Sequence, residues 1–193
     1  DFLSVNVNLV STKITENIPL RALLNWQNST TPDMSPLLEK CAHLSRKDIV
    51  NFYKDIFDTL LDLLVLLDDV RPAAFQTLMA ILATCQSDPR NAHYDQLDQR
   101  GHLSLKHWVD RYLEEGFTNG KVFPFLMDSL HKLIEAVSSD PKANHKTLKL
   151  ALKASPLLIK FILRSRQVAL QTASVLSPGS NLPDYSGTPI TRL

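Results

Sequence analysis

The sequence predicts an all-α protein whose helices stack in the armadillo or HEAT manner. Three observations carry that prediction. Apolar residues recur at the helical period through most of the stretch from Ile18 to Val175. Only 5 glycines occur in 193 residues, so few positions favour left-handed turns. The segment from Asp48 to Val70, DIVNFYKDIFDTLLDLLVLLDDV, is apolar over more of its circumference than a helix with one wet face allows. Such a helix needs neighbours on two or three sides. A compact irregular helical bundle is the alternative architecture. No fixed-period repeat is legible in the sequence.

Residues 2–10, FLSVNVNLV, alternate with period 2 and read as a half-buried strand. A lone strand needs partners, so it is assigned to a preceding domain. From Ile18 the period becomes helical, with Pro19 in the first turn and Leu20, Leu23, Leu24 and Trp26 on one face. The NSTTPDMSP stretch is a loop, and a brief helix follows over Pro36 to Ala42. Ser45 with Asp48 resembles a capping box and starts a helix running to about Leu67. Asn51, Asp55, Asp58 and Asp62 form its narrow polar stripe. Pro72 opens the next helix, bearing Phe75, Leu78, Met79 and Leu82 and ending near Ser87. After the polar connection RNAHYDQLDQRGH, another helix carries Leu105, Trp108, Val109, Tyr112 and Leu113, and Gly116 stops it. Val122, Leu126, Leu130, Leu133 and Val137 mark the helix after that. The last runs from about Ala143 to Val175, and Pro156 is expected to kink or split it. The division is an exit strand or linker over 1–13, an armadillo-like helical domain over 14–175 and a disordered tail or linker over 176–193.

Composition narrows the function. A formal charge of +1 argues against nucleic-acid binding. No apolar run reaches the roughly 18 residues of a membrane helix. The start of the chain has no basic n-region and no long apolar core, so no signal peptide is read; Asp1 is not an initiator Met, so the sequence reads as a fragment. Cys41 and Cys85 lie in apolar helical patterns and read as buried reduced thiols. Asn28-Ser29-Thr30 matches a glycosylation sequon by chance.

No catalytic motif is present, and no catalytic, cofactor-binding or metal residue is assigned. TNGKVF lacks the first glycine and the Ser/Thr of a phosphate loop. His102 and His107 fall on different helix faces and make a poor metal pair. His43, His93, His131 and His145 read as solvated surface groups. Asp55, Asp58 and Asp62 read as a wet stripe on a buried helix, not as an acid–base cluster. One feature exceeds background. Lys146, Lys149, Lys153, Lys160 and Arg164 share one face of the last helix, and from Ser138 to Val175 the sole acid is Asp140. That strip fits an anionic membrane surface or an acidic protein segment. Read as functional, it predicts salt-sensitive binding to anionic vesicles; read as bland, it is a wet lysine-rich face. Ser177-Pro178 and Thr188-Pro189 fit proline-directed phosphorylation, a pattern common in loops.

Several segments in order resemble the DOCK (dedicator of cytokinesis) family of guanine-nucleotide exchange factors. VSTKITENIPLRALLNW, Val10 to Trp26, resembles that family's Ser-Thr-Lys-Leu-Thr-Gln-Asn segment with its Leu-rich turn and Trp. IVNFYKDIFDTLLDLL, Ile49 to Leu64, is similar to the helix after that loop. LIKFILRSR, Leu158 to Arg166, resembles the Phe-Lys-Phe-Ile-Val-Arg-Ser-Arg stretch, and VDRYLEEGF, Val109 to Phe117, is a further match. The chain departs from the pattern at Pro156, at the Gly101 connection and in its tail.

The resemblance implies a segment after the membrane-binding C2-like domain, at the start of the helical middle region. It implies a non-enzymatic scaffold linking that domain to an exchange domain beyond Leu193, with no cofactor. The implied partners are the rest of the larger chain, a Rho-family GTPase (Rac by subfamily) met through the absent exchange domain, and an ELMO-type adaptor. The implied location is cytoplasmic, with recruitment to the membrane by the parent protein. A stand-alone helical-repeat adaptor binding a partner protein is the alternative function.

Overall fold

The computed structural model describes residues 15–28, 34–93, 103–140, 142 and 144–176. Among the described residues there are seven α-helices and no strand. They are α1 (Ile18–Leu24), α2 (Ser35–Cys41), α3 (Arg46–Leu66), α4 (Arg71–Gln86), α5 (Leu105–Arg111), α6 (Phe123–Ser139) and α7 (His145–Leu176). The expected strand over 2–10, the tail from Ser177 and most of the polar connection near Gly101 lie outside the described residues.

Local chemistry fixes the helix starts. Asn17 caps α1: its side-chain oxygen accepts from the Leu20 amide at 3.1 Å, and Pro19 sits in the first turn. Ser45 caps α3 by accepting from the Asp48 amide, and its hydroxyl donates to the Asp48 carboxylate at 2.7 Å. That carboxylate also accepts from the Asn17 side-chain amide at 3.0 Å, so the starts of α1 and α3 are tied together. Ser104 caps α5 by accepting from the His107 amide.

The helices stack in layers. α1 packs on α2, and the two lie against α3 and α4 respectively. On the other side α5 and a 3-10 turn at Gly120–Val122 meet α3, while α7 lies along α4. The α3–α4 pair is therefore the middle layer, as the excess of apolar residues around Phe57 and Leu61 requires.

Within α3, Ile49, Phe52, Tyr53, Ile56, Phe57, Leu60, Leu61, Leu63 and Leu64 are buried. Asn51, Asp55 and Asp58 of the predicted polar stripe are exposed, as is Lys54, whereas Asp62 is half-buried. The helix bends at Phe52, whose backbone leaves helical geometry (φ −125°, ψ 18°). Its apolar end is not fully covered: Leu66 is 60% exposed.

α4 is more completely enclosed than α3. It touches α2, α3, α5, α6 and α7, and its buried residues include Ala74, Thr77, Ile81, Ala83 and Cys85 beside the expected Phe75, Leu78, Met79 and Leu82. Buried Thr77 satisfies its hydroxyl by donating to the Leu38 carbonyl of α2 at 3.0 Å.

One sequence expectation needs correction. Pro156 does not split the last helix; α7 is one helix from His145 to Leu176. Proline removes the amide that would reach Leu152, and the Ser155 hydroxyl donates to that same carbonyl at 2.9 Å. The helix is also held on both sides of the proline by buried Ala151, Ala154, Leu157, Leu158 and Phe161. α6 is an edge helix: Val122 and Leu126 are buried, whereas Leu130, Leu133 and Val137 are only half-buried.

An aromatic cluster joins the layers. Phe57 of α3 lies 5.1 Å from Tyr112 and 5.3 Å from Phe161 of α7, ring centre to ring centre. Tyr112 begins a π-helical turn, Tyr112–Gly116, that continues α5. Nearby, Gly120 lets the 3-10 turn meet α7 backbone to backbone. A Cβ at Gly120 would stand 2.7 Å from the Ala169 amide nitrogen.

Phe57→Ala is expected to lower stability by about 3–5 kcal/mol, whereas Asp55→Ala on the wet face should change it by no more than about 0.5 kcal/mol. Urea unfolding followed by circular dichroism checks both. Gly120→Ala should cost about 1–3 kcal/mol, because the added methyl must push α7 away from the turn; the same titration reads it.

Candidate functional site

The basic face of α7 is the strongest sequence-level candidate, and its placement follows from how α7 is anchored. The Asn144 side-chain amide donates to the Ala136 and Asp140 carbonyls, each at 2.9 Å, fixing the turn from α6. Ala151, Ala154, Leu157, Leu158, Phe161, Ile162 and Ser165 then point into the core. Lys146, Lys149 and Lys153 are exposed, about a quarter-turn or more away from that buried face.

The five predicted cations fall into two groups. Lys160 donates to the Asp110 carboxylate of α5 at 2.6 Å, and Asp110 is itself largely covered. Arg164 donates to Gln167 at 2.9 Å and reaches the Glu114 carbonyl at 3.5 Å. These two pin α7 to α5 and the π-helical turn. Lys146, Lys149 and Lys153 reach no carboxylate among the described residues and face outward.

Lys153 also borders a groove lined by Arg46, Thr84, Asp88, Arg90 and Leu150. Asp88, just past the predicted helix end at Ser87, is the organising residue there. Its side chain is 2% exposed, and its carboxylate accepts from the Leu105 amide at 2.8 Å and from the Arg90 amide at 3.1 Å. Arg46 stands 3.5 Å away and also donates to the Leu103 carbonyl. Asp88 thus ties the start of α3, the end of α4 and the start of α5. Its partners lie up to 42 residues away in the sequence, and no local spacing could have revealed them.

The carboxylates on α3 are structural. Asp58 accepts from the buried Tyr112 hydroxyl at 2.5 Å, and Asp62 accepts from the Asn119 side-chain amide at 3.5 Å. Burial, then the Asp58 charge, raises Asp62 above the ordinary carboxylate range. Burial, then the bond to Asp58, pushes the Tyr112 phenol well above its usual value. Asp55 remains exposed.

Both cysteines are buried and free, as read from sequence. Burial pushes Cys41 to about 11 and Cys85 to about 12, so neither is a thiolate at neutral pH. His43, His131 and His145 are exposed; His131 lies 3.2 Å from Glu135. The His93 side chain and all of His102 lie outside the description. Among the described residues no group of His, Cys, Asp or Glu could hold a metal ion. Nor is any helix among them long and apolar enough to cross a membrane.

The geometry defines an all-α stack in which several polar side chains, Asp48, Asp58, Asp88 and Lys160 among them, join one element to another. The chain is similar to dedicator of cytokinesis protein 3 of Mus musculus and of Homo sapiens, at 29% identity over 167 residues in each case. The match covers 84% of this chain and 7% of each relative, and it supports a relationship to the dedicator-of-cytokinesis proteins. No family model matches the chain. No solved structure matches it either.

Asp62→Asn tests the reading of the α3 carboxylates. A carboxylate raised in the folded state favours folding most below its unfolded value of 3.8, and this contribution is lost as pH rises through the folded value. The substitution should therefore stabilise the fold at pH 7. The gain should shrink on acidification through the folded value and vanish below about 3.8. Thermal melts of both proteins across that range measure it.

Proposed function

We propose that the chain is a non-catalytic helical scaffold segment of a DOCK-type guanine-nucleotide exchange factor for Rho-family GTPases, with Rac as the substrate class. The observation that carries this reading is the match to dedicator of cytokinesis protein 3 along 84% of the chain. In the parent protein the segment spaces a membrane-binding C2-like domain from an exchange domain. An ELMO-type adaptor is the expected regulatory partner, and the parent moves from the cytoplasm to the membrane.

The site geometry supports the scaffold role. Side chains that could do chemistry are spent on holding elements together: Asp58 on Tyr112, Asp62 on Asn119, Asp88 on Leu105 and Arg46, and Lys160 on Asp110. An exchange surface must prise open a nucleotide site, which takes exposed groups aimed at the GTPase rather than at the chain's own helices.

The expected result is that the 193-residue chain leaves the rate of fluorescent GDP release from Rac unchanged at micromolar concentration. A robust acceleration by this chain alone would overturn the scaffold assignment.

A further inference from the structure

The face of α7 turned away from the core is apolar. Leu152, Ile159, Leu163 and Leu170 are each between 52% and 65% exposed. At about 100° per residue they fall within an arc of roughly 40°, and that arc lies nearly opposite the buried face. Leu170 stands about five full turns beyond Leu152, so the seam extends for roughly 27 Å along one unbroken helix. A helix with one apolar face in the core and a second facing outward is built to be covered on both sides.

The surroundings say what covers it. α7 carries Lys146, Lys149, Lys153, Lys160, Arg164 and Arg166 and no acidic residue. Lys149 and Lys153 flank the seam on one edge and exposed Arg166 on the other. Two shallow grooves border it. One is lined by Leu148, Lys149, Leu152 and Lys153; the other holds Leu113 and Leu163 with Lys160 and Arg164, which already reach its Asp110 carboxylate and Glu114 carbonyl.

We infer that this face docks an amphipathic helix of a partner protein, one whose apolar seam is edged by Asp and Glu. Unbroken helical spacing matches helix-on-helix packing, the grooves receive side chains, and exposed Lys149, Lys153 and Arg166 meet the acidic edge. A second copy of this chain fits poorly. Pairing α7 with α7 sets lysine against lysine. The exposed apolar residues of α6, Met127 and Ile134, sit among charges already paired, Asp128 with Lys132 and Glu135 with His131. The acidic stripe of α3 has no apolar seam beside it. A lipid bilayer would not fill the grooves, and the seam holds none of the aromatic residues that favour the membrane interface.

This inference builds on the scaffold reading and can fail while that reading stands, because the exchange assay does not depend on it. The test titrates the full 193-residue chain with two synthetic helical peptides. They share one Leu/Ile seam and differ in flanks, all Glu in one and all Lys in the other. The Glu peptide should bind, the Lys peptide should bind at least about tenfold more weakly, and salt at ~0.3 M should weaken the Glu complex several-fold. Leu163→Ser, at an exposed position, should keep the thermal melt and lose binding about tenfold or more. Equal binding of both peptides, or of neither, overturns the inference. So does uptake by phosphatidylserine vesicles without peptide binding, or self-association in the ultracentrifuge that Leu163→Ser abolishes.

Discussion

Contact among Phe57, Tyr112 and Phe161 is the constraint on which the rest of the structure depends. The three rings come from α3, from the π-helical turn after α5 and from α7, and Phe117 closes the group edge-on to Tyr112 and Phe161. Each ring removes a large apolar area from water, and tilted or edge-on pairs add a further increment of about 0.5–1.5 kcal/mol. The middle layer and the layer above it are therefore joined by area rather than by a few polar contacts. The π turn follows from this. It carries Tyr112 and Leu113 into the core while Tyr112 keeps its hydroxyl on Asp58 at the edge of the cluster.

Polar joints do a different job: they set direction. Asn17 and Asp48 register α1 against α3, and Asp88 registers α3, α4 and α5 at one point. A buried carboxylate is tolerated only when charged and neutral donors surround it, and Asp88 has both. Apolar layers alone would slide; each of these carboxylates fits one arrangement. Their position near helix starts also places negative charge where the exposed amides of a first turn favour it.

Much of this was legible in the sequence. The Asn51–Asp62 stripe marked the wet face of α3, Ser45 marked its start, and the surplus apolar residues around Phe57 demanded two covering layers. α4 was harder to read because Ala74, Ala83 and Thr77 are ambivalent between core and surface, and only contact with five other helices decides them. α6 shows the opposite case: its apolar residues keep the helical period, yet Leu130, Leu133 and Val137 are only half-buried. Helical spacing sets the basic strip on one face but does not divide it into two groups. Lys160 and Arg164 find Asp110 and Glu114 some 50 residues earlier, a relation that helical spacing does not contain.

Pro156 shows why a rule of local structure can yield to its surroundings. A proline inside a helix costs about 3 kcal/mol, partly through the carbonyl it leaves without a donor. Ser155 supplies that donor, and residues on both sides are already seated in the core, so breaking the helix would forfeit more than the proline costs. Continuity then has a consequence. A split helix would turn Leu152 away from Ile159, Leu163 and Leu170; one unbroken helix keeps all four on one line. The residue that looked most disruptive in the sequence sits within the segment whose continuity creates the outward apolar seam, and the hydroxyl beside it helps to preserve that seam.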